Sequence, residues 1–112
     1  MSDVFVAGIF VGPLGGVYMS VTIPDSPINT SPPVVTGIPQ SSNKLTCDPG
    51  TWDYADSFGY QWYKDGQPII GQTRNQLTLN STYIGSTILC IVTAANEFGS
   101  TSVPSNSTLI IP

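Results

Sequence analysis

The chain has 112 residues, with three basic and seven acidic side chains, a net charge of −4 and no histidine. That length suits one domain with a short appendage, and the acidic balance argues against nucleic-acid binding, which needs a positive face to displace phosphate counterions. Charged residues are only 9% of the chain, against roughly 25% in ordinary soluble domains, so Ser, Thr, Asn and Gln must supply the polar surface. Ten prolines and eleven glycines recur without a period, which excludes a collagen-like repeat and disfavours long helices.

Residues 4–23, VFVAGIFVGPLGGVYMSVTI, carry no charge. A bilayer span, a signal peptide, a buried core segment and a docking arm can all look like this. A signal peptide needs a basic start and a small-residue cleavage site, but Asp3 is the only charge before the stretch and Lys44 is the first lysine. A spanning helix would be interrupted by Gly8, Gly12, Pro13, Gly15 and Gly16, at about 1 kcal/mol per glycine and 3 per proline, and no Lys or Arg flanks it. No membrane span is therefore expected. The β-branched and aromatic content suits strands. The reading is two short strands, residues 4–11 and 17–23, broken by GPLGG. Such a pair is marginal alone in water and needs a cover.

Residues 24–33, PDSPINTSPP, hold four prolines and read as an extended linker, with a domain boundary near Ser31. Residues 1–31 are thus expected to form an arm and linker, and residues 32–112 a domain. In that domain SNKLTC alternates polar and apolar as a half-buried strand does. DPGTW reads as a turn, and FGYQWY as a strand with Tyr60 and Trp62 on one face. Asp65-Gly66 is a strong hairpin signal, because a type I′ turn needs positive φ. PII, NQLTLN and TILCIVTAAN follow as strands, the last with Ile88, Cys90 and Val92 on one face. NEFG turns the chain, and STSVPSNSTLII closes it as a final strand. About seven short strands with turns between them describe an all-β sandwich or barrel with no helix longer than a turn.

Trp62 lies fifteen residues after Cys47, and Cys90 twenty-eight after Trp62. This spacing resembles the immunoglobulin pattern, in which cysteines on strands B and F lie between the sheets and a strand C tryptophan packs on them. LTCDPGTW, YQWYKDGQPIIGQT, the turn at Tyr83–Gly85 and CIVTAANEFGS resemble the Ig-like modules of bacterial surface proteins and tailed-phage virion proteins, over residues 33–112. The tyrosine-corner position, two before the second cysteine, is Ile88, and six before it stands Ile84. Both departures favour the microbial branch. The resemblance implies an immunoglobulin-like β-sandwich of about seven strands preceded by an apolar arm that is extended or β. A short Ig-like module with a separate apolar arm is similar to capsid decoration and other accessory virion proteins of tailed phages, where an anchoring segment grips the shell and the module faces outward.

The resemblance also implies a role for Cys47 and Cys90 as a structural pair, bridged in an oxidising compartment or left as two buried thiols in a reducing one. A bridge would close a loop worth on the order of 4 kcal/mol. Two cysteines without histidine cannot make a zinc site. Asp48, Asp53 and Asp56 fall close together, but their spacing is not that of an EF-hand, and a solvated acidic loop is the expectation. Trp62 and Tyr60 are expected in the core. Trp52 and Tyr54 are the residues to stack on a sugar if any do. Asn29, Asn80 and Asn106 begin glycosylation-type triplets that a chain rich in Asn, Ser and Thr contains by chance. With no histidine base, no phosphate-binding glycine loop and no activated nucleophile, neither a catalytic residue, a metal site nor a cofactor is expected, and the chain reads as no enzyme.

The module has strands enough to close its own sandwich, so the apolar stretch is free to serve as an attachment arm. Exposed, it would aggregate. It is expected to add strands to a partner by β-augmentation, through Val4, Val6, Ile9, Phe10, Val11, Val17, Tyr18, Val21 and Ile23. The expected partners are a major capsid protein or neighbouring copies of the chain, and the expected location is the capsid surface of a virion. Host-surface glycans are the alternative partner, for an adhesin module on a phage tail or neck or on a bacterial surface.

Overall fold

The computed structural model describes residues 9–11, 17–19 and 25–112 of the chain. They are all-β. The strands are β1 (Ile9–Val11), β2 (Val17–Met19), β3 (Ile28–Ser31), β4 (Val34–Gly37), β5 (Lys44–Asp48), β6 (Thr51–Asp53), β7 (Ser57–Lys64), β8 (Gln67–Pro68), β9 (Gln76–Thr78), β10 (Thr87–Asn96), β11 (Gly99–Pro104) and β12 (Thr108–Leu109). One 3-10 turn, Ser81–Tyr83, is the helical element among the described residues.

Two antiparallel sheets make a β-sandwich. One has the order β4-β5-β9, the other β11-β10-β7-β8, with β12 also paired to β10. Side-chain alternation fills the space between them. From the first sheet come Val35, Leu45, Cys47 and Leu77; from the second come Trp62, Ile88, Cys90 and Val92. Burying one such aliphatic side chain contributes about 1.5–3 kcal/mol. Cys90 stands opposite Trp62 in the β10–β7 register, and Cys47 opposite Val35 in β4–β5. Trp62 is fully buried, whereas Tyr60 is half-buried against the rim of the same cluster.

The turns follow their local chemistry. Asp65 and Gly66 have φ of 49° and 84°, the pair of positive angles that a type I′ hairpin requires. Asp48 Oδ1 accepts from the Gly50 amide at 2.8 Å, and Asn96 Oδ1 accepts from the Phe98 amide at 2.7 Å; both are Asx turns. The final strand is split. After Pro104, the Ser105 amide donates to the Cys90 carbonyl and the Ser105 hydroxyl accepts from the Cys90 amide. The Asn106 side chain then brackets Val35 through both its N–H and its C=O. The last strand is thereby pinned to both sheets at the break between β11 and β12.

The proline-rich segment differs from the linker expected of it. Ile28–Ser31 pairs antiparallel with Thr51–Asp53, Asp25 is 2% exposed, and Pro27 and Pro33 are fully buried. Proline lacks a donor but is tolerated beside or on an edge strand, so the flanking prolines do not prevent the four residues of β3 from pairing. The expected boundary at Ser31 falls at the end of a strand that belongs to this packing, and residues 25–31 are built onto the sandwich. Gly50 permits the approach. It has φ +81°, and a Cβ there would overlap the Ser31 carbonyl oxygen and crowd Pro32. Gly50→Ala is expected to destabilise the fold by about 1–3 kcal/mol, read as a lower urea midpoint at unchanged slope; an unchanged midpoint would refute the close approach.

Candidate functional site

Within the apolar arm, Ile9–Val11 and Val17–Met19 are paired strands that fall inside the two ranges expected for strands. β1 and β2 run antiparallel with Ile9 opposite Met19, Phe10 opposite Tyr18 and Val11 opposite Val17. Among the described residues these two strands pair with each other and with no strand of the sandwich. Val4, Val6, Val21 and Ile23 lie outside the described residues. A lone two-stranded hairpin is marginal in water, and a third strand or a packed face is what stabilises it.

The chain joins the sandwich at a clamp. The Asn96 side chain, at the end of β10, donates to the Asp25 carbonyl and to the Tyr54 carbonyl, each at 2.7 Å. Its oxygen accepts from the amides of Phe98 and Gly99. One amide group therefore ties the incoming chain, the loop after β6 and the β10–β11 turn. Thr101 adds a second tie, its hydroxyl donating to the Pro27 carbonyl at 2.7 Å. In the sequence, Asn96 shows only as a turn residue within NEFG; its long-range role carries no local signal.

Cys47 and Cys90 are buried free thiols; the Cys47 Sγ donates to the Asp48 carbonyl and the Cys90 Sγ to the Ile91 carbonyl. The neighbouring Cys47 thiol and burial push the Cys90 thiol well above its ordinary range. Burial also raises the Tyr60 phenol, with the two sulfurs and Asp48 adding to the shift. Trp62 satisfies its indole N–H on the Arg74 carbonyl at 2.7 Å.

Trp52 and Tyr54 sit apart in character. The Trp52 ring is partly buried against the core, tilted at 55° to Phe58 with centroids 6.2 Å apart, and its N–H is committed to the Pro49 carbonyl at 2.7 Å. Tyr54 is 48% exposed, has φ of 66°, and lines a shallow pocket with Asp25, Asp56 and Glu97. Among the described residues, no three His, Cys, Asp or Glu side chains are grouped to hold a metal ion. No helix among them is long and apolar enough to cross a membrane.

A separate groove of about 470 Å³ runs beside β9. Lys44, Arg74, Gln72, Gln76, Thr78 and Asn80 line it, together with Gly71 and Tyr83, and no acidic residue does. Lys64 lies over the Tyr83 ring, 6.0 Å from its centroid. The chain has three basic residues in all, and two of them line this groove. Sequence spacing gives no hint of this convergence, since Lys44 comes from a strand and Arg74 from a loop.

No protein-family model, curated protein or solved structure matches the chain.

Asn96→Ala removes two donors and an acceptor at the clamp. It is expected to cost about 2–3 kcal/mol and to speed amide exchange at residues 25–29 more than in β5 or β10; uniform exchange would show that the clamp holds nothing locally. The thiols are expected to resist alkylation in the folded protein and to react at least about 100-fold faster in denaturant, because a buried, uncharged thiol is a poor nucleophile. Fast native labelling, read by intact mass, would contradict their burial.

Proposed function

We propose that this chain is a non-enzymatic structural virion protein of a tailed phage. Its apolar arm docks on the major capsid protein or on neighbouring copies at the capsid surface, and its Ig-like domain is displayed outward, decorating and stiffening the shell. The observation that carries this reading is the uncharged strand pair of β1 and β2, which, among the described residues, pairs with no strand of a sandwich that already closes its own core. Two strands with open edges and an apolar sequence gain stability by adding to another sheet, through backbone hydrogen bonds that give affinity and alternate side chains that give register. The resemblance of LTCDPGTW, YQWYKDGQPIIGQT and CIVTAANEFGS to phage Ig-like modules supplies the virion context.

Removing residues 1–24 while keeping β3 is the appropriate truncation. The shortened chain is expected to keep its thermal unfolding transition and to lose association with purified capsids in gradient sedimentation. Undiminished association would overturn the arm reading. Quantitative mass spectrometry of gradient-purified particles is expected to find tens to hundreds of copies, as capsid symmetry demands of a decorating subunit. A handful of copies would instead point to a tail or neck adhesin.

A further inference from the structure

We infer that the groove beside β9 is a binding site for an acidic saccharide. This goes beyond the docking role of the arm and does not depend on it. The groove gathers Lys44 and Arg74 in a chain of net charge −4 and admits no carboxylate to its lining, so the charge of its lining is opposite in sign to that of the chain as a whole. Several acidic residues lie elsewhere, with Asp25, Asp56 and Glu97 around the pocket at the Asn96 clamp. A cleft of one sign focuses an oppositely charged ligand.

The remaining lining selects the class of anion. Gln72, Gln76, Thr78 and Asn80 offer neutral donors and acceptors, which match the hydroxyl array of a sugar ring, while the two cations match its carboxylate or sulfate. Nucleic acid is the poorer fit: its affinity rises with the number of phosphates neutralised, and three cations in an acidic chain neutralise few. The volume falls within the range of small-ligand sites, about 300–1,000 Å³. The walls are also held in place. Gln76 Nε2 donates to Thr46 Oγ1, the Trp62 indole fixes the Arg74 backbone, and Gln61 Nε2 donates to the carbonyls of Ile69 and Gln72. The backbone under Gln72 and Arg74 is thereby fixed before binding, and the exposed Lys44 and Arg74 side chains are what binding must order.

The test is a titration of the full chain with trigalacturonate at low salt, followed by amide NMR, beside neutral galactotriose and a short oligothymidylate. Trigalacturonate is expected to shift the amides of Lys44, Arg74 and Gln76 saturably. Lys44→Gln or Arg74→Gln should each weaken it by about tenfold, as loss of a charge-assisted hydrogen bond does, and both variants should keep the wild-type amide dispersion. The absence of saturable shifts with trigalacturonate would overturn the assignment. So would an affinity unmoved by both substitutions, equal binding of galactotriose, or equal or tighter binding of the oligothymidylate.

Discussion

The sandwich depends on keeping one indole dry. Trp62 is fully buried, and its N–H would cost about 1–3 kcal/mol if left without a partner there. The Arg74 carbonyl supplies that partner across twelve residues of chain. This single bond fixes where the segment after β8 must run, and Gln61 repeats the constraint from the neighbouring position by donating to the carbonyls of Trp62, Ile69 and Gln72. Cys90 opposite Trp62 and Cys47 on the facing sheet complete the centre. The groove beside β9 is therefore an outward consequence of an inward requirement: satisfying the tryptophan places the Arg74 backbone.

Around this centre, neutral side chains do the joining that ion pairs do in more charged proteins. Asn96, Asn106 and Thr101 tie distant segments through backbone carbonyls and amides. Thr30 shares a hydrogen bond with Thr51, and Thr93 with Ser102, across strand pairs. Such bonds are not screened by salt as exposed ion pairs are, and they do not titrate. A chain with 9% charged residues thus keeps its connections over a wide range of solvent conditions while leaving its few charges for other uses.

The strands were legible in the sequence because their information is local. Alternation marks Leu45 and Cys47, or Ile88, Cys90 and Val92, as one face, and the structure buries each set. Asp65-Gly66 announces its own turn through the φ angles it tolerates. β10 spans the whole of TILCIVTAAN, whereas the final segment breaks at Pro104 because Ser105 and Asn106 bond across to Cys90 and Val35. What was not legible is long-range. The pairing of Ile28–Ser31 with Thr51–Asp53 hides behind prolines that suggest a free linker, and only the absence of a Cβ at Gly50 permits it. The Asn96 clamp looks like an ordinary turn residue. Lys44 and Arg74 share no motif, and only the folding of a strand and a loop brings them to one groove. Half-burial of Tyr60 depends on where the sheet rim ends, which alternation cannot specify.

The clamp at Asn96 also decides how load would travel. Tension applied through the residues that precede Asp25 meets the Asn96 and Thr101 bonds first and the β3–β6 ribbon next. Each of these bonds contributes about 0.5–1.5 kcal/mol, far less than the packed centre. They act as a sacrificial seam: a tug strong enough to peel residues 25–31 from the sandwich lengthens the tether and relaxes the pull, while the two sheets and the tryptophan between them stay closed.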